Sequence, residues 1–263
     1  MANTETGRAL TEAHRVAQIR LGGAAMLRAA GLWSLLDVGD LDGSAPVWMA
    51  ATADQVGNAQ AQSAAMAERY VSLYREAEIG TQSGPIVRPL SSTATTVEAL
   101  RIKGPVGIKT AIGRGVTVER AYRAGMIAVQ GMVMQLALGA GRGVIDGTAR
   151  ADGRSGRYRR VTDGTPCAFC AMLAGRGPVY SEETAYFRTH LRCGCTAEIV
   201  YGEWVPNELE AKWRESYFTA AEEATAVDGI RIAPKPGNDE DTVLWRMRRN
   251  APDLFHDGVK PSN

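Results

Sequence analysis

The sequence predicts a mainly α-helical protein with a small α+β C-terminal region: a long N-terminal helical hairpin, then a compact domain cross-linked by cysteine and histidine. Much of the N-terminal half repeats apolar residues every three or four positions, the spacing of one helix face. All four cysteines of the 263-residue chain, and one of its three histidines, fall between positions 162 and 201. We divide the chain into a helical hairpin (1–80), a linker with a short helix (81–115), a core helix with an arginine-rich loop, the cysteine/histidine cluster and a following helix (116–230), and an irregular tail (231–263).

The composition carries no strong overall charge. Apolar residues make up 45% and charged residues 22%, and 30 basic against 29 acidic side chains leave a net charge of +1. This balance is ordinary for a globular protein and excludes a chain that binds nucleic acid over its whole surface. Any contact with DNA must therefore be local. The residues after Met1 are polar and predict no secretory signal, so we expect reduced cysteines while the protein folds.

Two long amphipathic helices are predicted in the hairpin segment. The first runs from Thr11 to about Leu36, and the second runs from about Pro46 to Glu78 with Ser44 as its N-cap. At 1.5 Å per residue the second helix would be roughly 50 Å long. A helix of this length with small residues on its apolar face is expected to pack against another helix. An antiparallel hairpin within one chain is favoured over coiling between two chains.

Further helices follow the linker at residues 80–89. Ser91–Leu100 predicts a short helix, and Val116–Leu138 predicts the most apolar helix of the chain. Its uncharged run lies at the lower limit of a membrane span, but the glutamines and glycines within it favour a buried core helix. Exposure to a host membrane during DNA entry is the alternative. Two more helices are predicted at Pro206–Val227 and Val243–Arg249.

Arginine is concentrated just before the cysteines. Six arginines lie between positions 142 and 160, with two aspartates and several glycines among them. A basic, glycine-rich loop is a candidate for contacts with nucleic-acid phosphates. A solvated loop, or pairing with acidic residues of a neighbouring protein, is the alternative. The selected residues are Arg154, Arg157, Arg159 and Arg160.

The cysteines form two blocks that are typical of a metal site. Cys167 and Cys170 have the spacing of two zinc ligands, and His190, Cys193 and Cys195 form the second block. Five candidates are thus available for four zinc positions. Disulfides and buried free thiols are the alternatives, and a cysteine nucleophile with His190 as its base is a third. Because nothing singles out one thiol for catalysis, no enzymatic activity is predicted.

The two blocks together resemble those of a known family. The Gly-x-x-Cys-x-x-Cys-x-x-Leu-x-Gly pattern at 164–175 and the His-x-x-Cys-x-Cys pattern at 190–195 resemble the minor head proteins of tailed bacteriophages related to the F protein of phage Mu. The resemblance implies a structural head-morphogenesis protein that is present in the host cytoplasm during assembly and then inside the virion, near the portal vertex.

That resemblance also implies partners. They are the portal protein and the major capsid protein, and the protein would assist head assembly, DNA packaging or DNA ejection. Packaged DNA, bound without sequence preference, and a second copy of the chain are further partners that we consider, and no stable membrane span is expected. A zinc-dependent nucleic-acid-binding module is the alternative function, followed by a cysteine-based enzyme.

Overall fold

Eight helices and two short strands make up the part of the chain that the computed structural model describes, which is residues 2–90, 92–155, 157–178, 189, 193–228 and 242–257. A π-helical turn at Ile102–Val106 and 3₁₀ turns at Trp33–Leu35 and Pro252–Leu254 lie between them. In chain order the elements are α1 (Glu5–Leu32), α2 (Leu41–Ile79), α3 (Thr93–Arg101), α4 (Gly107–Gly113), α5 (Val118–Ala151), β1 (Tyr158–Val161), α6 (Ala168–Gly175), β2 (Thr196–Ile199), α7 (Glu208–Asp228) and α8 (Val243–Asn250).

Helices α1 and α2 form the antiparallel hairpin. At the closed end the Trp33 and Trp48 rings meet edge to face, with centroids 5.3 Å apart and planes at 88°. At the open end the Glu78 carboxylate accepts hydrogen bonds from the Thr4 amide at 3.0 Å and the Thr4 hydroxyl at 2.7 Å. Contacts at both ends of the pair hold the two helices in register along their length.

The start of α2 differs from the predicted one. The Asp40 side chain accepts a hydrogen bond from the Gly43 amide at 2.9 Å, so the helix begins at Leu41 rather than near Pro46. Ser44, the predicted cap, lies inside the first turns and donates to the Asp40 carbonyl at 2.6 Å. Aspartate is as strong an N-cap as serine, and the earlier start leaves Pro46 inside the helix, where it has no amide to donate to the preceding turn.

Helix α5 packs against both helices of the hairpin and extends well beyond the predicted end at Leu138. The Gly141 amide donates to Ser63 Oγ at 3.1 Å, and Ser63 Oγ donates to Gln18 Oε1 at 2.7 Å, so one buried network joins all three helices. A Cβ atom at Gly141 would lie 2.7 Å from Ser63 Oγ. Here glycine permits close helix packing rather than marking a loop, and Arg142 therefore lies on the helix.

The buried position of α5 explains its apolar character. The helix is long and apolar enough to cross a membrane, but 56% of its most apolar 18-residue window is buried inside the protein. Val133, Val144 and Ile145 are fully buried against the hairpin helices and the elements around them. This is the packing expected of a core helix.

The C-terminal elements are tied to the hairpin by buried polar groups. Strands β1 and β2 pair antiparallel, with Arg159 opposite Glu198. The Glu198 carboxylate accepts hydrogen bonds from Arg159 Nε at 2.6 Å and from the Thr11 hydroxyl of α1 at 2.7 Å. Tyr74 of α2 donates to the Ile199 carbonyl at 2.9 Å. The two-stranded sheet is therefore seated on the hairpin.

Helices α6, α7 and α8 pack together around a smaller apolar cluster that includes Ala171, Trp213 and Met247. The mainly helical fold with a small C-terminal sheet and a cysteine cluster confirms the predicted fold class. The division into four segments stays a prediction, and α5 of the third segment packs directly on the first.

Candidate metal centre

The four cysteines come from two separate parts of the chain and form one buried cluster. Cys167 is the N-cap of α6, and its Sγ accepts a hydrogen bond from the Cys170 amide at 3.4 Å, which places Cys170 in the first turn of the helix. Cys193 and Cys195 lie in the segment that leads into β2. All four are at most 8% exposed.

The sulfur atoms are spaced as a metal site requires. The Sγ atoms of Cys170, Cys193 and Cys195 all lie within 4.8 Å of one another, and those of Cys170 and Cys193 are 3.7 Å apart. A tetrahedral site with zinc–sulfur bonds of about 2.3 Å has sulfur–sulfur edges of about 3.8 Å. The cluster therefore fits a zinc ion without a large movement of these three cysteines.

Two buried arginines surround the cluster. Arg160 of β1 directs Nη1 toward Cys170 Sγ at 3.6 Å and Cys193 Sγ at 3.8 Å. Arg142 of α5 donates to the Cys195 carbonyl at 2.9 Å and to the Cys193 carbonyl. Zinc bound by four thiolates carries a net charge of −2, and donors to ligand sulfurs are typical outer-shell partners of metal sites. Two guanidinium groups would balance that charge.

Hydrogen bonds among the thiols shift their pKa values in different directions. Hydrogen bonds from Cys170 and Cys195, with the Arg142 charge, lower the pKa of Cys193 well below its usual range. Hydrogen bonds to Cys167 and to its other thiol neighbours raise the pKa of Cys170. A hydrogen bond with Cys170 lowers the pKa of Cys195, but its bond to Cys193 and burial outweigh this effect and raise that pKa to about 12.

The structure therefore brings together three of the four predicted cysteine ligands, Cys170, Cys193 and Cys195, and Cys167 packs in the same buried cluster without its sulfur joining this close group. His190, the fifth candidate, lies outside the described residues. Four cysteines are enough for a tetrahedral structural site. Each cysteine is a free thiol, so the described residues give the disulfide alternative no support. The chemistry of the donor set, three buried thiols in close contact with a fourth packed beside them, suits zinc.

The C-terminal end of the described chain packs against the N-terminus of α6. Asp257 accepts a hydrogen bond from the Ala168 amide at 2.9 Å at the N-terminus of α6, and Arg248 of α8 donates to the same carboxylate at 2.7 Å. Burial raises the pKa of Asp257, but these two hydrogen bonds outweigh it and lower the pKa overall. This segment and Cys167 both line a cleft of about 550 Å³. No sequence pattern links residues so distant.

The predicted phosphate-binding arginines divide into two pairs. Arg159 and Arg160 are buried on β1 at 4% and 2% exposure, so their side chains are turned away from solvent, and their phosphate contact stays a prediction. Arg159 is held between Glu198 and Glu210, and Arg160 faces the cysteines. Arg154 and Arg157 are exposed before β1, and their role in binding stays a prediction.

Sequence reasoning missed Arg142 as a support of the cysteine segment, because the pattern placed it in a loop. The available signal was that the helical repeat continues past Leu138 and places Arg142 at a buried position. It also missed Arg176 and Arg214, which lie beside Arg154 and Arg157 in a surface cleft. Nothing in the sequence indicates that these four positions meet.

The fold and the site together define a mainly helical phage protein that is built around a buried cysteine cluster able to hold a metal. The chain belongs to the VG15 protein family, whose model matches residues 5–220. This membership confirms the predicted phage origin and supports association with the virion. No curated protein and no solved structure matches the chain. The finer resemblance to the F protein of phage Mu stays a prediction.

Proposed function

We propose that this protein is a non-enzymatic structural component of a phage head, which docks near the portal and assists head assembly and the passage of DNA. The family membership supports a phage protein and the virion as its location. The portal protein and the major capsid protein are the proposed partners. The hairpin would provide the docking surface, since its 39-residue helix α2 is roughly 60 Å long at 1.5 Å per residue.

The observation that carries a structural role is the closed form of the cysteine cluster. Catalytic zinc sites keep one position open to water or substrate, whereas structural sites bind the metal through four protein ligands. Here three sulfurs lie within 4.8 Å of one another, Cys167 packs beside them as the candidate fourth ligand, and none of the four cysteines is more than 8% exposed. A reactive cysteine requires partial exposure as well as a lowered pKa, and Cys193 is only 2% exposed.

Zinc would be held by Cys167, Cys170, Cys193 and Cys195 and would act as a cross-link. The first two ligands belong to α6 and its cap, and the other two lead into β2. Arg142 fixes the carbonyls of the second pair, and Arg160 lies against the sulfurs. Such a cross-link would stabilise a region with a small apolar core of its own, which needs a staple or packing against a larger core.

The docking proposal is tested with the full-length protein in reducing buffer. Saturable binding to the portal protein of the same phage is expected, together with the chain in purified particles by mass spectrometry. Absence from particles, with no binding to portal or capsid protein, would overturn the proposal. Elemental analysis of the same preparation should give about one zinc per chain for a structural site.

Cys170→Ser should lose the zinc and destabilise the C-terminal region, because a structural metal stabilises only the folded state. Thr165→Ser is the matched control, since it alters an exposed residue beside the first cysteine block. Four titratable thiols without metal in the wild-type protein would contradict the zinc cross-link and leave the portal test unaffected.

A further inference from the structure

A basic cleft lies on the surface of the C-terminal region, beside the cysteine cluster but separate from it. Its volume is about 590 Å³, and its walls are the turn before β1, the segment after β2, the end of α6 and one face of α7. Four arginines from three separate parts of the chain line it: Arg154, Arg157, Arg176 and Arg214. All four are exposed, so the cleft is open to solvent.

Three of these arginines are not neutralised by carboxylates. Arg154 pairs with Asp152 at 2.8 Å. Among the described residues, Arg157, Arg176 and Arg214 form no ion pair, and the Arg157 guanidinium donates to the Gly202 carbonyl at 3.3 Å. Within the described lining there is one acidic residue, Glu203. A protein with a net charge of only +1 thus concentrates positive charge at one place.

Two tightly packed glycines flank Arg176 next to the cleft. A Cβ atom at Gly175 would lie 2.9 Å from the backbone nitrogen of Arg214, so α6 ends directly against α7. Gly177 has a φ of +70°, and a Cβ there would lie 2.6 Å from the Trp204 ring. Because both neighbours of Arg176 are packed this tightly, its side chain is presented at the cleft. The close approaches explain why glycine occupies both positions.

We propose that this cleft binds consecutive phosphate groups of a nucleic-acid strand. Guanidinium groups bind phosphate oxygens in a planar, two-pronged manner, and within the described part of the chain no carboxylate pairs with Arg157, Arg176 or Arg214. A single small anion needs enclosed donors, whereas this cleft is large, open and lined by four cations. An aromatic wall, provided by Trp204, is typical of sites that follow a strand with exposed bases.

The four cleft arginines differ from the predicted phosphate-binding set at two positions. Arg159 and Arg160 face inward, and Arg176 and Arg214 take their place at the surface beside Arg154 and Arg157. The nucleic-acid site goes beyond the proposed function, because neither the portal contact nor the zinc cross-link requires one.

The test measures fluorescence anisotropy of single-stranded and duplex oligonucleotides with the full-length protein across a salt series. The cleft variant combines Arg157→Ala, Arg176→Ala and Arg214→Ala. A matched control combines Arg114→Ala, Arg120→Ala and Arg123→Ala, which removes the same charge from exposed positions elsewhere. The three cleft substitutions should weaken binding at least about tenfold and lower the salt slope by about two. The control should stay within about twofold of the wild type, because its arginines would make no phosphate contacts.

Equal losses in the cleft and control variants would overturn the proposal, because they would show only a general charge effect. Binding of inorganic phosphate without binding of either oligonucleotide would overturn it as well. Lysine in place of alanine at the three cleft positions should recover part of the affinity, because lysine returns the positive charge but not the planar guanidinium group. Unchanged urea denaturation of each variant establishes that the fold is intact. Portal binding by the cleft variant separates this proposal from the proposed function.

Discussion

Two sets of arginines lie within a few residues of each other and have opposite environments. Arg159 and Arg160 are buried on β1, whereas Arg154 and Arg157 are exposed just before it. Each buried guanidinium contacts a fixed partner, which is a pair of carboxylates for Arg159 and thiols for Arg160. The difference teaches that an arginine-rich sequence supports two roles, and that burial of the guanidinium itself separates them, since the exposed Arg154 also has a counter-charge in Asp152.

The largest expected effect comes from removing a buried guanidinium. Arg159→Met leaves Glu198 and Glu210 buried without their shared cation, and breaking such a pair costs about 3–5 kcal/mol. Urea denaturation monitored by circular dichroism measures the loss. Arg157→Met, two positions earlier and exposed, should change the free energy of unfolding by less than about 0.5 kcal/mol.

Replacing Glu198 and Glu210 by glutamine in the Arg159→Met background should recover part of the lost stability, because the unpaired charges disappear. Equal stability of the Arg159→Met and Arg157→Met proteins would contradict the contrast between the buried and exposed sets.

A smaller effect is expected at Arg142, which donates to backbone carbonyls rather than to carboxylates. Arg142→Met leaves the carbonyls of Cys193 and Cys195 without these donors, at a cost of about 2–3 kcal/mol. The cysteine segment should loosen, so an alkylating reagent should modify its thiols faster than in the wild type. Arg123→Met, at an exposed position of the same helix, is the control. Unchanged thiol reactivity would show that Arg142 does not hold the cysteine segment in place.

The smallest effect is expected at His14, a buried base whose pKa is shifted by burial rather than by a charged partner. His14 is 6% exposed, stacks on Tyr70 at 4.4 Å, and burial lowers its pKa to about 4. Because the pKa of His14 is higher in the unfolded chain than in the folded one, the unfolded chain is protonated first as the pH falls. The contribution of neutral His14 to the free energy of unfolding is therefore fully present above about pH 6.5 and is lost as the pH falls towards 4. Between pH 7.5 and 5 the loss should be about 2 kcal/mol.

Urea denaturation at these two pH values measures the His14 contribution. His14→Phe keeps an aromatic ring against Tyr70 and removes the titrating group, so its stability should vary less over this interval. An identical pH dependence in the two proteins would show that other groups cause the acid sensitivity.

The helices could be predicted because their apolar residues follow one face for many turns. The continuation of α5 through Gly141 could not, since glycine is usually a helix breaker and only the approach of Ser63 explains it. The same misreading placed Arg142 in a loop. Tertiary packing thus overrode a local preference at the point where the helix meets the hairpin.

The candidate site was predictable in its ligands but not in its surroundings. Cysteine spacing indicated that Cys167, Cys170, Cys193 and Cys195 converge, since chemistry restricts how such residues are used. The inward orientation of Arg159 depends on Glu198 and Glu210, which lie 39 and 51 positions away. Sequence distance hides these partners, and the cleft arginines are hidden in the same way.

The cap on α6 has a consequence for the order of events during synthesis. Asp257 is 89 positions downstream of the Ala168 amide that it caps. The hairpin can pair as soon as residues 1–80 leave the ribosome, and Cys167 can cap α6 from within the same segment, whereas Asp257 arrives only when almost the whole chain has been made. A prematurely terminated product would therefore retain a paired hairpin and leave the Ala168 amide without its carboxylate acceptor.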